Sequence, residues 1–303
     1  IKTMKYLSFN IDNVNGGKIL FDLYAQTGDE RYKIAMDTLR KQMAEQPRTS
    51  EGGFWHKLRY PHQMWLDGIF MASPYLVQYG ATFNEPALFD EATKQILLIN
   101  SKTYDPATGL FYHGWDESRE QKWSNPETGC SPNFWSRSIG WYGAAIVDVL
   151  DFLPQETAGR DSIIQILQGL AKAIVKYQDP SSGTWYQVTD QGAREGNYLE
   201  SSATALFIYT LAKAINKGYI GNEYIEPTQK AFDGMVKTFT RLEEDGSYTI
   251  TNCCAVAGLG GDSKRYRDGS FEYYISEPII ENDPKSVGSF ILAAIEYEKM
   301  TKK

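Results

Sequence analysis

A carboxyl group within an apolar segment is the side chain of this sequence best suited to acid–base chemistry. Residues 60–71 contain Asp67, and helical spacing from Gln63 onward would place Asp67 on one face with Phe70 and Met71. Burial among apolar groups disfavours a charged carboxyl, so we expect Asp67 to hold its proton near neutral pH, give it up and take it back. An equally weighted interpretation is a structural aspartate that caps a helix or pairs with an arginine.

A second carboxyl, Asp12, lies in the run Asn10-Ile11-Asp12-Asn13, immediately before a predicted helix. The position alone favours helix capping, because an aspartate there accepts hydrogen bonds from the free N–H groups of the first turn. If the fold brings Asp12 to face Asp67, its negative charge would instead help to keep Asp67 protonated.

Cationic and aromatic side chains stand beside the aromatic loop segments, where they could line a sugar-binding cleft. Anionic sugars need such donors, arginine binds carboxylates in a bidentate manner, and flat rings offer an apolar face to a sugar. The same residue types also occur on surfaces and in ordinary cores, and the sequence leaves that alternative open. The candidate substrate-binding residues are His56, Lys57, His113, Trp135, Arg137 and Trp141.

The composition excludes several classes of protein. The 303 residues carry a formal net charge of −7, which argues against a general nucleic-acid binder, and the apolar stretches are too short to span a membrane. Aromatic residues make up 14% of the chain, as suits a sugar-binding protein. The three cysteines form no disulfide framework, and their spacing from the three histidines suits no zinc site. We therefore expect buried free thiols, no metal and no cofactor.

Apolar residues recur with helical spacing in about nine segments, so we expect a mostly helical protein. Strand-like sequence is confined to short aromatic stretches between these segments, and no linker divides the chain. We therefore predict a single domain over residues 1–303. The predicted helices span residues 14–25, 30–44, 63–79, 86–100, 135–152, 162–177, 199–215, 224–241 and 285–299.

One loop pattern occurs twice. Residues 105–112 (DPATGLFY) match residues 179–186 (DPSSGTWY), and each copy follows a predicted helix. Helical hairpins cannot bury their apolar faces alone and therefore stack on their neighbours. Aromatic loops recurring at one end favour closure into a toroid of hairpins, whereas an open solenoid remains the alternative.

The order of several motifs resembles that of glycoside hydrolase family 105, the unsaturated rhamnogalacturonyl hydrolases. The similarity extends over nearly the whole chain. It is carried by residues 10–13 (NIDN), 47–57 (PRTSEGGFWHK), 63–68 (QMWLDG), 134–141 (FWSRSIGW), 200–205 (ESSATA), 257–261 (AGLGG), 273–278 (YYISEP) and 281–285 (ENDPK).

The resemblance implies an (α/α)6 barrel that removes a Δ4,5-unsaturated uronic acid from the non-reducing end of oligosaccharides made by pectin-degrading and related lyases. It places the general acid and base on Asp67, which would protonate C4 and then activate water to attack C5. Asp12 would support Asp67, and the six candidate binding residues would line the cleft. The expected partner is an oligosaccharide substrate, with neither nucleic acid nor membrane, and the protein would be soluble and a monomer or weak oligomer.

Two departures from the family pattern bear on these expectations. The family motif Arg-Gly-x-Gly-Trp reads Arg137-Ser138-Ile139-Gly140-Trp141 here, which leaves the identity of the released sugar open. About nine helices rather than twelve lead us to expect that the N-terminal helices of the barrel are missing from this chain.

Two other functions remain open, namely an inverting glycosidase that acts on a saturated glycan and a non-catalytic sugar-binding protein. The compartment is also open: a bacterial protein of this kind could be cytoplasmic or periplasmic.

Overall fold

The computed structural model describes residues 5–261 and 266–302. Within them, all nine predicted helices are present as α2–α9 and α11, with two short helices, α1 and α10, in addition. The helices are α1 (Asp12–Asn15), α2 (Ile19–Thr27), α3 (Glu30–Glu45), α4 (Leu66–Phe83), α5 (Ala87–Thr103), α6 (Ser136–Val149), α7 (Arg160–Lys176), α8 (Ser201–Asn216), α9 (Ile225–Phe239), α10 (Phe271–Ile275) and α11 (Pro284–Thr301).

Two predicted helix starts are wrong. The helix expected over residues 14–25 is split into α1 and α2 around Gly16 and Gly17, because adjacent glycines have low helix propensity. The helix expected from Gln63 begins at Leu66 instead. Gln63–Trp65 form a short strand, β1, so Gln63 does not share a helix face with Asp67.

The helices form an inner and an outer layer. In α6, 13 of 14 residues are buried, and in α8, 14 of 16, so each of these helices is covered on all sides. In α7 and α9 only 6 of 17 and 5 of 15 residues are buried, as expected for outer helices with one apolar face. The inner layer runs from α4 through α6 to α8, each helix packing on the next. The last long helix, α11, packs on α8 and continues this order, although only 5 of its 18 residues are buried.

The long connections all lie at one end of the bundle. Consecutive helices alternate between the outer and inner layers, so every outer-to-inner connection returns to the same end. Three two-stranded antiparallel sheets stand in these connections. Their strands are β1 (Gln63–Trp65) with β2 (Gly114–Asp116), β3 (Thr240–Leu242) with β4 (Tyr248–Ile250), and β5 (Cys253–Cys254) with β6 (Ile279–Ile280).

The repeated loop pattern forms the same turn twice. Asp105 and Asp179 each accept a backbone hydrogen bond from the residue three positions later, Thr108 and Ser182, at 2.9 and 2.7 Å. In each copy the glycine of the turn adopts a positive φ, 80° at Gly109 and 77° at Gly183, which a residue without a Cβ adopts at little cost. The sequence repeat is therefore a structural repeat.

The three cysteines, Cys130, Cys253 and Cys254, are buried and free, as predicted. Among the helices of the described residues, none combines the length and apolar character needed to cross a membrane.

Candidate active site

A cavity of about 390 Å³ opens at the end of the bundle that carries the long connections. Seven of the eight predicted site residues line it, and they come from four separate parts of the chain. The cavity is lined by Asp12, Asn15, His56, Lys57, Tyr60, Trp65, Asp67, Met71, Trp135, Arg137, Trp141, Val256, Ala257, Arg267, Pro284 and Lys285.

Asp67 occupies the first turn of α4, where the strand β1 passes into the helix. Its side chain is 14% exposed, and Asp67 lines the cavity. The pairing of β1 with β2 sets Trp65 opposite Gly114, and Leu66 N–H donates to the carbonyl of His113 at 3.0 Å. This register brings the side chains of Asp67 and His113 together, although they are far apart in the sequence.

Asp67 Oδ2 and His113 Nε2 are 3.1 Å apart. The two atoms are buried and face each other without the alignment of a hydrogen bond, and neither has another hydrogen-bond partner among the described residues. Hydrogen bonds of catalytic groups are often poorly aligned before substrate binds, and a small rotation of either side chain would complete this one.

His113 is held from behind by Tyr274. Its side chain is fully buried between the rings of Trp65 and Trp135, and its Nδ1 lies 2.8 Å from the hydroxyl of Tyr274. Burial, together with the neighbouring Tyr273 and Asp67, raises the pKa of Tyr274 well above its usual value, so the hydroxyl keeps its proton. Because Nδ1 is the hydroxyl's partner among the described residues, we assign Tyr274 as the donor of this hydrogen bond. The remaining proton of a neutral imidazole is then on Nε2, facing Asp67.

The structure places His113 behind Asp67 rather than on the cavity wall. Sequence reasoning expected it in the cleft lining, but its side chain has no exposed surface. His113 would therefore act on a substrate through Asp67.

Asp12 has a different environment from Asp67. Lys57 Nζ donates to its Oδ2 at 2.6 Å, and His56 Nε2 lies 3.3 Å from Oδ1. Burial alone would raise the pKa of Asp12, but the charges and hydrogen bonds of His56 and Lys57 outweigh burial and lower it well below its usual range. Asp12 is therefore ionised at neutral pH. It does not cap α1, because the N-cap position is Ile11 and receives no side-chain cap.

The guanidinium of Arg137 is already engaged by the protein. Nε donates to Ser202 Oγ at 2.6 Å, Nη2 donates to the carbonyl of Cys254, and Nη2 lies 3.2 Å from Glu200 Oε1. Burial would lower the pKa of Arg137, and the charge of Glu200 raises it above the usual value instead. Arg137 lines the cavity and also joins α6 to α8, a double role that sequence reasoning did not anticipate.

Aromatic rings form two walls of the cavity. Trp141 packs on Phe70 with a centroid distance of 4.5 Å. On another side, Trp65 is stacked between His56 and Tyr60 at 4.4 and 5.0 Å, with interplanar angles of 16° and 21°. The stacked rings form a rigid, largely apolar wall beside the space that a ligand would occupy.

Sequence reasoning missed several residues of the cavity. Trp65 lies next to Leu66 in the motif that contains Asp67, and this position is a signal that could have found it. Lys285 ends the family motif at residues 281–285, which is likewise a signal that could have found it. Arg267 lies outside the quoted motifs, and no local pattern indicates that its side chain reaches the cavity.

Within the described residues, no three His, Cys, Asp or Glu side chains are grouped so that they could hold a metal ion. The carboxyl groups, charged donors and stacked rings of the cavity can bind a polar, flat-faced ligand and transfer a proton to it. A cavity of this composition at the loop end of a helical bundle is suited to a carbohydrate-active enzyme.

The chain belongs to Glycosyl Hydrolase Family 88, whose sequence model matches residues 1–301. It is also similar to a Clostridium acetobutylicum glycoside hydrolase from family 105 of known structure, with a TM-score of 0.96 and 45% identity. That similarity covers 98% of this chain and 82% of the other. The resemblance to family 105 and the (α/α)6 barrel are thereby confirmed.

Two curated relatives extend the comparison. A 24.9 kDa protein in the picA locus of Rhizobium radiobacter is 37% identical over 230 residues, which cover 75% of this chain and 97% of that protein. The unsaturated rhamnogalacturonyl hydrolase YesR of Bacillus subtilis is 26% identical over 243 residues, which cover 78% of this chain and 65% of YesR.

Proposed function

We propose that this protein removes the Δ4,5-unsaturated uronic acid from the non-reducing end of lyase-generated oligosaccharides by adding water across the double bond. The observation that carries the proposal is Asp67, a carboxyl lining the cavity with His113 behind it and no cation paired with it among the described residues. Its position suits a group that gives up a proton and recovers it within one reaction.

In the proposed reaction, Asp67 gives its proton to C4 of the substrate and then, as a carboxylate, accepts a proton from the water that attacks C5. The product at C5 is a hemiketal, which opens the ring and releases the neighbouring sugar. His113 would orient the carboxyl through Nε2, leaving the other oxygen to exchange the proton. Asp12, held ionised by Lys57 and His56, would support the site as a carboxylate that keeps these two side chains in position at the cavity.

The cavity walls support a sugar as the ligand. Trp135 and Trp141 line the cavity with Trp65 and would contact the apolar faces of the unsaturated uronic acid and its neighbour. His56, Lys57 and Arg137 would contact its polar groups. The similarity to YesR, an unsaturated rhamnogalacturonyl hydrolase, supports oligosaccharides derived from rhamnogalacturonan as the substrates.

Replacing Asp67 with asparagine tests the proposal, because asparagine keeps the shape but carries no transferable acid proton. We expect kcat for unsaturated oligosaccharides to fall by roughly 10²–10⁴-fold, measured as loss of ultraviolet absorbance from the conjugated double bond. Asp161→Asn is the matched control, since Asp161 also stands in the first turn of a helix but is exposed on α7. Turnover by Asp67→Asn at the wild-type rate would refute the assignment. Turnover of intact saturated oligosaccharides by the wild type would favour an inverting glycosidase instead.

A further inference from the structure

Of the residues that the structure describes, four side chains with a permanent positive charge line the cavity, and three of them face a carboxylate. Lys57 Nζ lies 2.6 Å from Asp12, Arg137 Nη2 lies 3.2 Å from Glu200, and Lys285 Nζ lies 2.7 Å from Asp283. Each of these charges is largely balanced before any ligand arrives. An anionic ligand that took the place of such a carboxylate would gain little net binding free energy, because the cation would lose one ion pair as it formed the other.

Arg267 is the exception. Its Nε donates to the carbonyl of Gly260 at 3.0 Å, and its Nη2 donates to the hydroxyl of Tyr60 at 2.5 Å. Both acceptors are uncharged, and among the described residues no carboxylate lies within ion-pair distance of this guanidinium. The side chain is therefore held in place, and no residue in the described part of the chain balances its charge.

The local backbone positions the guanidinium at the cavity. A bridge pairs Arg267 with Gly260, and Gly260 N–H donates to the carbonyl of Arg267 at 2.7 Å. A Cβ atom on Gly258 would lie 2.6 Å from Nη1 of Arg267 and 3.4 Å from the ring of Trp65. Nη1 therefore passes over Gly258, beside Trp65, in space that is open only because Gly258 has no side chain. In the described residues this nitrogen has no hydrogen-bond partner of its own.

We propose that Arg267 binds the carboxylate of the unsaturated uronic acid through Nη1 and so selects an acidic sugar for the cavity. This assignment rests on the proposed function. A half-buried guanidinium that no described carboxylate pairs with attracts an anionic ligand, and its planar donors match the geometry of a carboxylate.

The test compares two substrates, an unsaturated oligosaccharide with a free carboxylate on its terminal residue and the same compound as the methyl ester. We expect the wild type to prefer the free acid in kcat/KM by at least about 10-fold, and Arg267→Gln to lose that preference. Esterification also changes the reactivity of the double bond, but this change is the same for both proteins. The acid-to-ester preference of the wild type divided by that of Arg267→Gln therefore measures the contribution of Arg267.

Two further variants separate charge recognition from damage to the fold. Arg267→Lys keeps the charge and should retain part of the preference for the acid. Arg59→Gln is the matched control, because Arg59 Nη2 also donates to the hydroxyl of Tyr60, at 2.7 Å, but Arg59 does not line this cavity. It should keep the wild-type preference. The assignment would be overturned if Arg267→Gln kept the wild-type ratio of kcat/KM for the acid to kcat/KM for the ester, including the case in which both values fell by the same factor.

Calorimetric titration with the same two compounds measures affinity without turnover. A wild type that binds the acid more tightly than the ester, and loses this difference in Arg267→Gln, would support the assignment even if it hydrolysed neither. That result would contradict the proposed function alone, so the two hypotheses can fail separately.

Discussion

Asp12 and Asp67 line one cavity but meet opposite surroundings. Asp12 is 2.6 Å from the ammonium of Lys57, whereas Asp67 faces the imidazole of His113 at 3.1 Å, with no lysine or arginine paired to it among the described residues. Two carboxyl groups whose environments differ in this way can take separate roles, one as a fixed negative charge and the other as a proton carrier. The separate roles proposed for Asp12 and Asp67 follow from that difference in environment.

The contact between Tyr274 and His113 predicts a specific kinetic effect. Tyr274→Phe removes the hydroxyl that donates to Nδ1 at 2.8 Å, so the imidazole is free to change tautomer or rotate away from Asp67. Loss of a buried hydrogen bond of this kind costs about 1–3 kcal/mol. If that energy orients Asp67, kcat should fall by roughly 10- to 100-fold while KM changes little.

Tyr142→Phe is the control for this experiment. Tyr142 is also fully buried, and its hydroxyl donates to the carbonyl of Ile96 at 3.2 Å within the helical core. The substitution Tyr142→Phe should lower thermal stability without lowering kcat. Equal kcat losses in the two variants would show that Tyr274 contributes only to packing.

The paired state of Asp12 predicts how stability depends on pH. Burial raises the pKa of this carboxyl, but His56 and Lys57 lower it further, so the folded-state pKa lies below that of the unfolded chain. A group of this kind stabilises the fold above its unfolded pKa of about 3.9, and the contribution is lost as the pH falls towards the folded-state value. Wild type should therefore be more stable than Asp12→Asn near neutral pH.

Urea unfolding of both proteins at a series of pH values measures this effect. The difference in their free energies of unfolding should be constant around neutrality and shrink below pH 4 or so. A difference that stayed the same into the acid range would mean that the ion pairs with Lys57 and His56 do not form in solution. Asp161→Asn, an exposed carboxyl of α7, should show no comparable difference.

The buried pair of Arg137 and Glu200 predicts a large loss of stability when one charge is removed. Glu200→Gln leaves the guanidinium without its counter-charge in a site where both side chains are almost fully buried. Breaking a buried pair in this way typically costs about 3–5 kcal/mol. We expect urea unfolding to show a loss of that size.

Glu281→Gln provides the comparison, because Glu281 makes a bidentate contact with Arg241 in an exposed position. Water already screens that pair, so its loss should change the free energy of unfolding very little. Similar effects of the two substitutions would argue that the site around Arg137 is wetter than its buried position indicates.

Much of the helical framework could be predicted from the sequence because its signal is local. Apolar spacing within one segment identified each long helix, and the repeated residues around Asp105 and Asp179 identified two equivalent turns. The start of α4 was misjudged for the opposite reason. The strand that contains Gln63 has three residues, too few for a period, and its partner Asp116 lies in another connection.

The candidate site shows the same limit. Asp67 and the residues of the family motifs could be found because their neighbours in the sequence are distinctive. The partners that set their charge and orientation come from remote segments. Glu200 reaches Arg137 from another helix and Tyr274 reaches His113 from the C-terminal part of the chain. Such partners can be predicted only once the packing of the whole barrel is known.

The three-residue pairing of β1 with β2 has a further consequence. This pairing brings Asp67, at the start of α4, next to His113, which lies in the connection between α5 and α6. Neither segment alone contains both groups. The site is therefore complete only in the assembled barrel, and no single helix contains all of its groups. A partly folded chain could hold nearly all of its helices and still be inert, so enzymatic activity would report on completion of the fold more stringently than helix content does.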